Sequence, residues 1–146
     1  MLEPIAYFDH DADIGIVGRG GRIEEAFENA ATAMFALMTN LGAVRLQASV
    51  DIEFEEADAE LALVTWLNLL LAHARSRALI FGRFQLRREG ASPKETCSGA
   101  RWMGTAEGEP WRDGLERGVE VKGATLTGLA VTQQDGIWEA RCVVDV

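Results

Sequence analysis

Polar and apolar residues alternate along this chain with two periods. Ile23, Phe27, Ala30, Met34 and Met38 recur at spacings of three and four, while Glu24, Glu25, Glu28 and Asn29 fall off that stripe. The spacing predicts an amphipathic helix from near Ile23 to Leu41. Glu24 and Glu25 suit the positive end of its dipole, and Asn40 and Gly42 mark its end. The Met34, Phe35 and Met38 cluster is read as core rather than as a partner groove. A second helix, capped by Asp58, is expected from Glu60 to about Ala78. Its middle carries only Thr65 and Asn68 as polar residues among Leu61, Leu63, Val64, Trp66, Leu67, Leu69, Leu70 and Leu71. A helix apolar nearly all round is buried; the mixed ending His73-Ala74-Arg75 argues against a membrane span.

The other rhythm has a period of two. Ile5 to Phe8 and Ile14 to Val17 are expected as short strands, followed by a plain turn at Gly18-Arg19-Gly20-Gly21 that lacks the lysine of a phosphate-binding loop. Val50-Asp51-Ile52-Glu53-Phe54 predicts a strand with one buried face and with Asp51 and Glu53 in solvent. Ile80 to Leu86 predicts another. Residues from Glu89 to Gly118 are rich in Gly, Pro, Ser and Glu, and are expected as a long loop with a strand around Ala100 to Ala106. Val119-Glu120-Val121-Lys122 alternates and should begin the final sheet segment. Leu129 to Thr132, Asp135-Gly136 and Ile137 to Val146 form a hairpin signal, because Asp-Gly supplies the positive φ angles of a tight turn.

The 146 residues fit one domain spanning 1–146. A net charge of −9, from 14 basic and 23 acidic residues, excludes tight direct binding of nucleic acid and favours a metal or a basic protein partner. Neither a signal peptide nor a membrane segment is legible, so a soluble, cytoplasmic protein is expected. Cys97 and Cys142 have no metal-ligand spacing and are read as ordinary thiols.

The candidate chemistry lies in Asp9-His10-Asp11-Ala12-Asp13-Ile14-Gly15. If extended, this stretch puts Asp9, Asp11 and Asp13 on one face, a donor set suited to a hard cation. An EF-hand would need Gly at Ile14 and Glu at Gly20, so any metal must gather ligands from elsewhere. A solvated acidic turn fits the same residues. Asp145, at the end of the terminal strand, would add a second carboxylate if that strand packed beside Asp13, and Val146 could add its carbonyl or carboxylate. Arg75, Arg77, Arg83, Arg87 and Arg88 form one basic region, read as a solvated edge in preference to an RNA or phosphate contact. Two rival functions remain open. One is a hydrolase or phosphotransferase holding Mg²⁺ on Asp9, Asp11, Asp13 and Asp145, with His10 as acid or base. The other is a chaperone-like module acting on RNA-processing enzymes through the Arg75 to Arg88 region.

In order and spacing, His10-Asp11-Ala12-Asp13-Ile14-Gly15, Ile23 to Ala30, Trp66-Leu67-Asn68-Leu69-Leu70, Glu120-Val121-Lys122-Gly123-Ala124-Thr125 and Val143-Val144-Asp145-Val146 together resemble the archease family. The resemblance covers essentially the whole chain. It implies an α+β single domain with two main helices packed on antiparallel or mixed β-sheet. It also implies a non-enzymatic cofactor protein of an RtcB-type RNA ligase, which joins RNA ends with GTP and Mn²⁺ in tRNA splicing and RNA repair. Such proteins promote guanylylation of the ligase and its multiple turnover. The family's calcium ligands fall on Asp13, Asp145 and the main chain of Val146, with Asp9, His10 and Asp11 as further candidates and Lys122 as a partner contact. The chain departs from the family pattern at Asp11, Leu69, Leu126 and Thr127, which bears on its ligase contacts.

Overall fold

The computed structural model describes residues 2–89 and 101–146. Its elements are β1 (Ile5–His10), β2 (Asp13–Gly20), α1 (Ile23–Ala36), β3 (Ala48–Glu55), α2 (Ala59–Arg77), β4 (Leu79–Glu89), β5 (Arg101–Pro110), β6 (Gly123–Ala124), β7 (Ala130–Gln134) and β8 (Ile137–Asp145). They form two antiparallel sheets, one ordered β1-β2-β8 with β6 and β7 both on the far side of β8, the other ordered β3-β5-β4. The α+β expectation holds. Each helix bridges the sheets: α1 touches β2 and β8 on one side and β4 on the other, and α2 touches β3, β4 and the β6 to β8 region.

α1 buries the stripe read from the sequence, whereas α2, expected to be buried nearly all round, buries one side and leaves Leu61 43% exposed. On α1, Ile23, Phe27, Ala30 and Met34 are buried, and on α2, Leu63, Trp66, Leu67, Leu70 and Leu71. Asp58 caps α2 as expected, its carboxylate accepting the backbone N–H groups of Glu60 and Leu61. Trp102 is stacked between Phe27 and Phe54, with ring centroids 5.0 and 5.9 Å away. Trp66 donates its indole N–H to the Phe27 carbonyl at 3.1 Å, so the largest buried side chain on α2 leaves no orphaned donor. Cys142 is buried in the same core, and burial pushes its thiol up to about 12. It stays protonated, as an ordinary core thiol does. Cys97 lies outside the described residues.

Four boundaries differ from the sequence reading. First, α1 ends at Ala36, not Leu41. The N–H groups of Leu37 and Met38 turn back to Met34 and Phe35, and the carbonyls of Leu37 and Met38 accept from Val119 and Gly118. Second, Gly18, Arg19 and Gly20 belong to β2 and pair with Ala140, Glu139 and Trp138 of β8. A side chain at Gly18 would run into the Ala26 carbonyl and the Ala30 amide of α1. Third, β5 extends to Pro110 and is the central strand of its sheet. Its buried Glu109 is satisfied by Arg112 at 2.8 Å and the Arg45 N–H at 2.6 Å, and those bonds hold its carboxyl below the ordinary range. Of the rest of the expected loop, 111–118 forms neither helix nor strand, Glu89 ends β4, and 90–100 lies outside the described residues. Fourth, 119–122 does not enter a ladder. The ladder of β6 holds only Gly123 and Ala124, opposite Asp145 and Val144, and Lys122 N–H makes the last bond, to the Asp145 carbonyl.

Candidate functional site

The acidic stretch is a tight hairpin. His10 pairs with Asp13 and Asp9 with Ile14, leaving Asp11-Ala12 as a two-residue turn in which Asp11 takes a φ of 53°. Asp9, Asp11 and Asp13 therefore do not share a strand face, contrary to the extended reading. Cross-strand partners point to the same side. His10 and Asp13 thus lie on one face, whereas Asp9 lies on the other with Ile14, Ile16 and Tyr7, the side packed on α1. Tyr7 marks that side, its hydroxyl donating to the Ala33 carbonyl at 2.8 Å. Asp11 sits at the tip, its side chain 93% exposed and 3.9 Å from His10.

The terminal strand meets this hairpin. β8 pairs with β2 as Ile14 with Val144 and Gly15 with Val143, so one further step of the register sets Asp13 opposite Asp145. Asp13 Oδ1 accepts the Val146 backbone N–H at 3.2 Å. Lys122 closes the other flank, its N–H bound to the Asp145 carbonyl at 2.8 Å. Asp13, Asp145, Val146 and Lys122, far apart in the chain, thus occupy one end of the first sheet. Among the described residues no group of three or more His, Cys, Asp or Glu side chains is close enough to hold a metal ion. A cation at this end would need to combine the two carboxylates with main-chain oxygen, a donor set of the hard type that Ca²⁺ favours.

The Lys122 flank is held by two residues whose role was not read from the sequence. Asn68 of α2 donates to the Ala124 carbonyl at 3.1 Å and accepts the Ala124 N–H at 2.9 Å. Arg75, a turn or two further along α2, donates to the carbonyls of Val121 and Lys122. The signal was present: Asn68 is a lone amide in an otherwise apolar helix centre, where it needs a polar partner. Asn68→Ala should leave the Ala124 amide and carbonyl without these bonds and lower stability by about 1–3 kcal/mol. Hydrogen exchange at the Ala124 amide should accelerate with it; slow exchange in the variant would show that α2 does not hold this strand.

The arginines that cluster in sequence separate in space. Arg75 is turned to the 121–122 carbonyls, Arg83 lies 3.8 Å from Glu107, and Arg88 lies over the Trp102 ring at 5.2 Å. On β4, successive side chains face opposite sides of the sheet, which divides them further.

Comparison with known proteins accords with this architecture. The family model described as the Archease protein family matches residues 6–146. The chain is 36% identical to Protein archease of Sulfolobus acidocaldarius over 141 residues, 96% of each chain. It is 34% identical to that of Methanothermobacter thermautotrophicus, covering 99% of this chain and all of the other. The solution structure of Methanobacterium thermoautotrophicum protein 1598 superposes with a TM-score of 0.81 at 31% identity, covering 98% of this chain and 99% of that one. A Thermotoga maritima archease, described as a possible chaperone, shares the fold with a TM-score of 0.64 at 20% identity, covering 100% and 98% of the two chains.

Proposed function

The chain belongs to the archease family, and on that premise we propose that it is a metal-binding accessory protein of an RtcB-type, GTP-dependent RNA ligase. In this reading it promotes guanylylation and multiple turnover of the ligase in tRNA splicing or RNA repair and catalyses no reaction of its own. The observation that carries the reading is the meeting of Asp13 with the Asp145-Val146 strand end, fixed by the Val146 N–H on Asp13 at 3.2 Å. The donor set fits Ca²⁺, with Asp13, Asp145 and the Val146 main chain as its ligands and Asp9, His10 and Asp11 as outlying charge. The ion, when bound, would neutralise two adjacent carboxylates. The chain's own residues do the rest: Asp13 ties β8 to the hairpin, and the Asp145 carbonyl fixes the backbone from which the exposed Lys122 side chain projects. That ammonium group is then available to an anionic group on the ligase. In this reading the protein acts in the cytoplasm; no described helix is long and apolar enough to cross a membrane.

The test is a ligation assay with limiting ligase, GTP and Mn²⁺, counting RNA joins per ligase. Turnover above one join only in the presence of this protein is the expected result. Turnover that is the same without it would overturn the reading.

A further inference from the structure

A concavity lies on the same flank as Lys122 but outside the acidic end. It has a volume of about 350 Å³ and is formed where α2, the turn after α1 and residues 111–121 meet. Its floor is apolar, made by Met38, Leu71 and Val121, the last two only 2% exposed. Trp111 forms one wall, with the Arg117 guanidinium 4.1 Å above its ring. Arg75 forms another. Neither Arg75 nor Arg117 has a carboxylate partner among the described residues. In a chain of net charge −9, these two cations outnumber the one carboxylate, Glu120, that also lines the pocket, so its rim is locally opposite in sign to the chain as a whole.

The lip of this pocket is backbone outside any helix or strand ladder. Val119 N–H is bound to Leu37, and the carbonyl of Val121 to Arg75. The N–H and C=O of Glu120 make no hydrogen bond among the described residues. Val119 itself is 40% exposed beside the opening. A pocket of this kind offers an apolar hole, cationic groups next to it and main-chain donors and acceptors along one edge, the combination by which extended peptides are held.

We propose that this pocket receives a segment of the partner protein in which an apolar anchor side chain stands next to a carboxylate. The anchor enters between Trp111, Met38, Leu71 and Val121. The carboxylate meets Arg117 and Arg75, and Glu120 main chain supplies the edge bonds. A peptide is the occupant the charges favour: one or two carboxylates match the two arginines and the rest of the peptide is uncharged, whereas a polyphosphate backbone would bring a charge at every residue against Glu120 at the lip and a strongly acidic molecule behind it. The inference rests on the accessory-protein reading for the nature of the partner. Its test uses no ligase, so its failure leaves the turnover result standing.

The whole chain, with labelled methyl groups, is titrated in an NMR experiment with the blocked peptide acetyl-Asp-Phe-Asp-amide, with its counterpart acetyl-Lys-Phe-Lys-amide and with adenosine monophosphate. The acidic peptide should shift the methyl signals of Met38, Leu71, Val119 and Val121 at millimolar concentration, and the lysine peptide should not. Arg117→Glu, at an exposed position, should weaken the acidic peptide by about tenfold or more with the remaining spectrum unchanged. Absence of shifts with the acidic peptide, equal shifts with the lysine peptide, or shifts with the nucleotide alone would each overturn the proposal.

Discussion

Alanine at Asp13 or at Asp145 should weaken Ca²⁺ binding and ligase activation together. Each carboxylate is a charged oxygen donor at the same end of the first sheet, so loss of either should weaken Ca²⁺ by at least about tenfold. The two variants differ in one respect. Asp13 also accepts the Val146 N–H, so Asp13→Ala should in addition loosen the end of β8, whereas exposed Asp145 makes no such side-chain bond among the described residues. Asp13→Asn separates these roles, since an amide oxygen can still take the N–H while the charge is gone. Calorimetric titration with CaCl₂ and joins per ligase are read on all three. Unchanged titrations for both alanine variants would remove Asp13 and Asp145 from the metal site, and lost Ca²⁺ binding with full turnover would make the metal irrelevant to activation.

Trp66→Ala should be the most damaging single change to the fold. The indole is fully buried at the centre of α2, lies against Gly104 of β5 and bonds the Phe27 carbonyl of α1. It thus joins both helices to the second sheet. Truncation of a buried tryptophan typically costs about 3–5 kcal/mol through lost contacts and the cavity left behind, and here the Phe27 carbonyl also loses its donor. Urea denaturation should show the midpoint falling with little change in slope. A loss below about 1 kcal/mol would mean that the core closes around the gap.

How much of this was legible depended on whether the deciding contacts were local. The cap at Asp58, the α1 stripe as far as Met34, the β3 alternation and the Asp135-Gly136 turn are short-range, and all four stand in the structure. Asp135 and Gly136 take φ values of 54° and 79°, as the tight hairpin requires. The end of α1 was not legible. Leu37, Met38 and Leu41 keep the helical spacing and do pack on the core, but the carbonyls of Leu37 and Met38 are claimed by Val119 and Gly118, far along the chain. β5 was concealed by its own composition: Gly104, Gly108 and Glu109 read as loop, whereas the glycines admit Trp66 and the Ile80 backbone, and Glu109 is satisfied by Arg112 and Arg45. In the acidic stretch the missing fact was one residue's conformation. With Asp11 at positive φ the run folds back, and Asp9 changes face. Asp145 beside Asp13 was legible from the resemblance and from the carboxylate closing an apolar strand, because residue type and order are enough to propose that pair.

The position of β8 bears on how the protein is made. This strand is synthesised after every other strand of its sheet, yet it lies in the interior, with β2 on one side and β6 and β7 on the other. While residues 137–145 are still within the ribosome, β2 carries an open edge, and the part of α1 that packs on β8 faces water. Such an edge is a template for strands of neighbouring chains. On a polysome, the interval before β8 emerges is therefore when this protein is most exposed to aggregation, and a chaperone that shields β2 would act then.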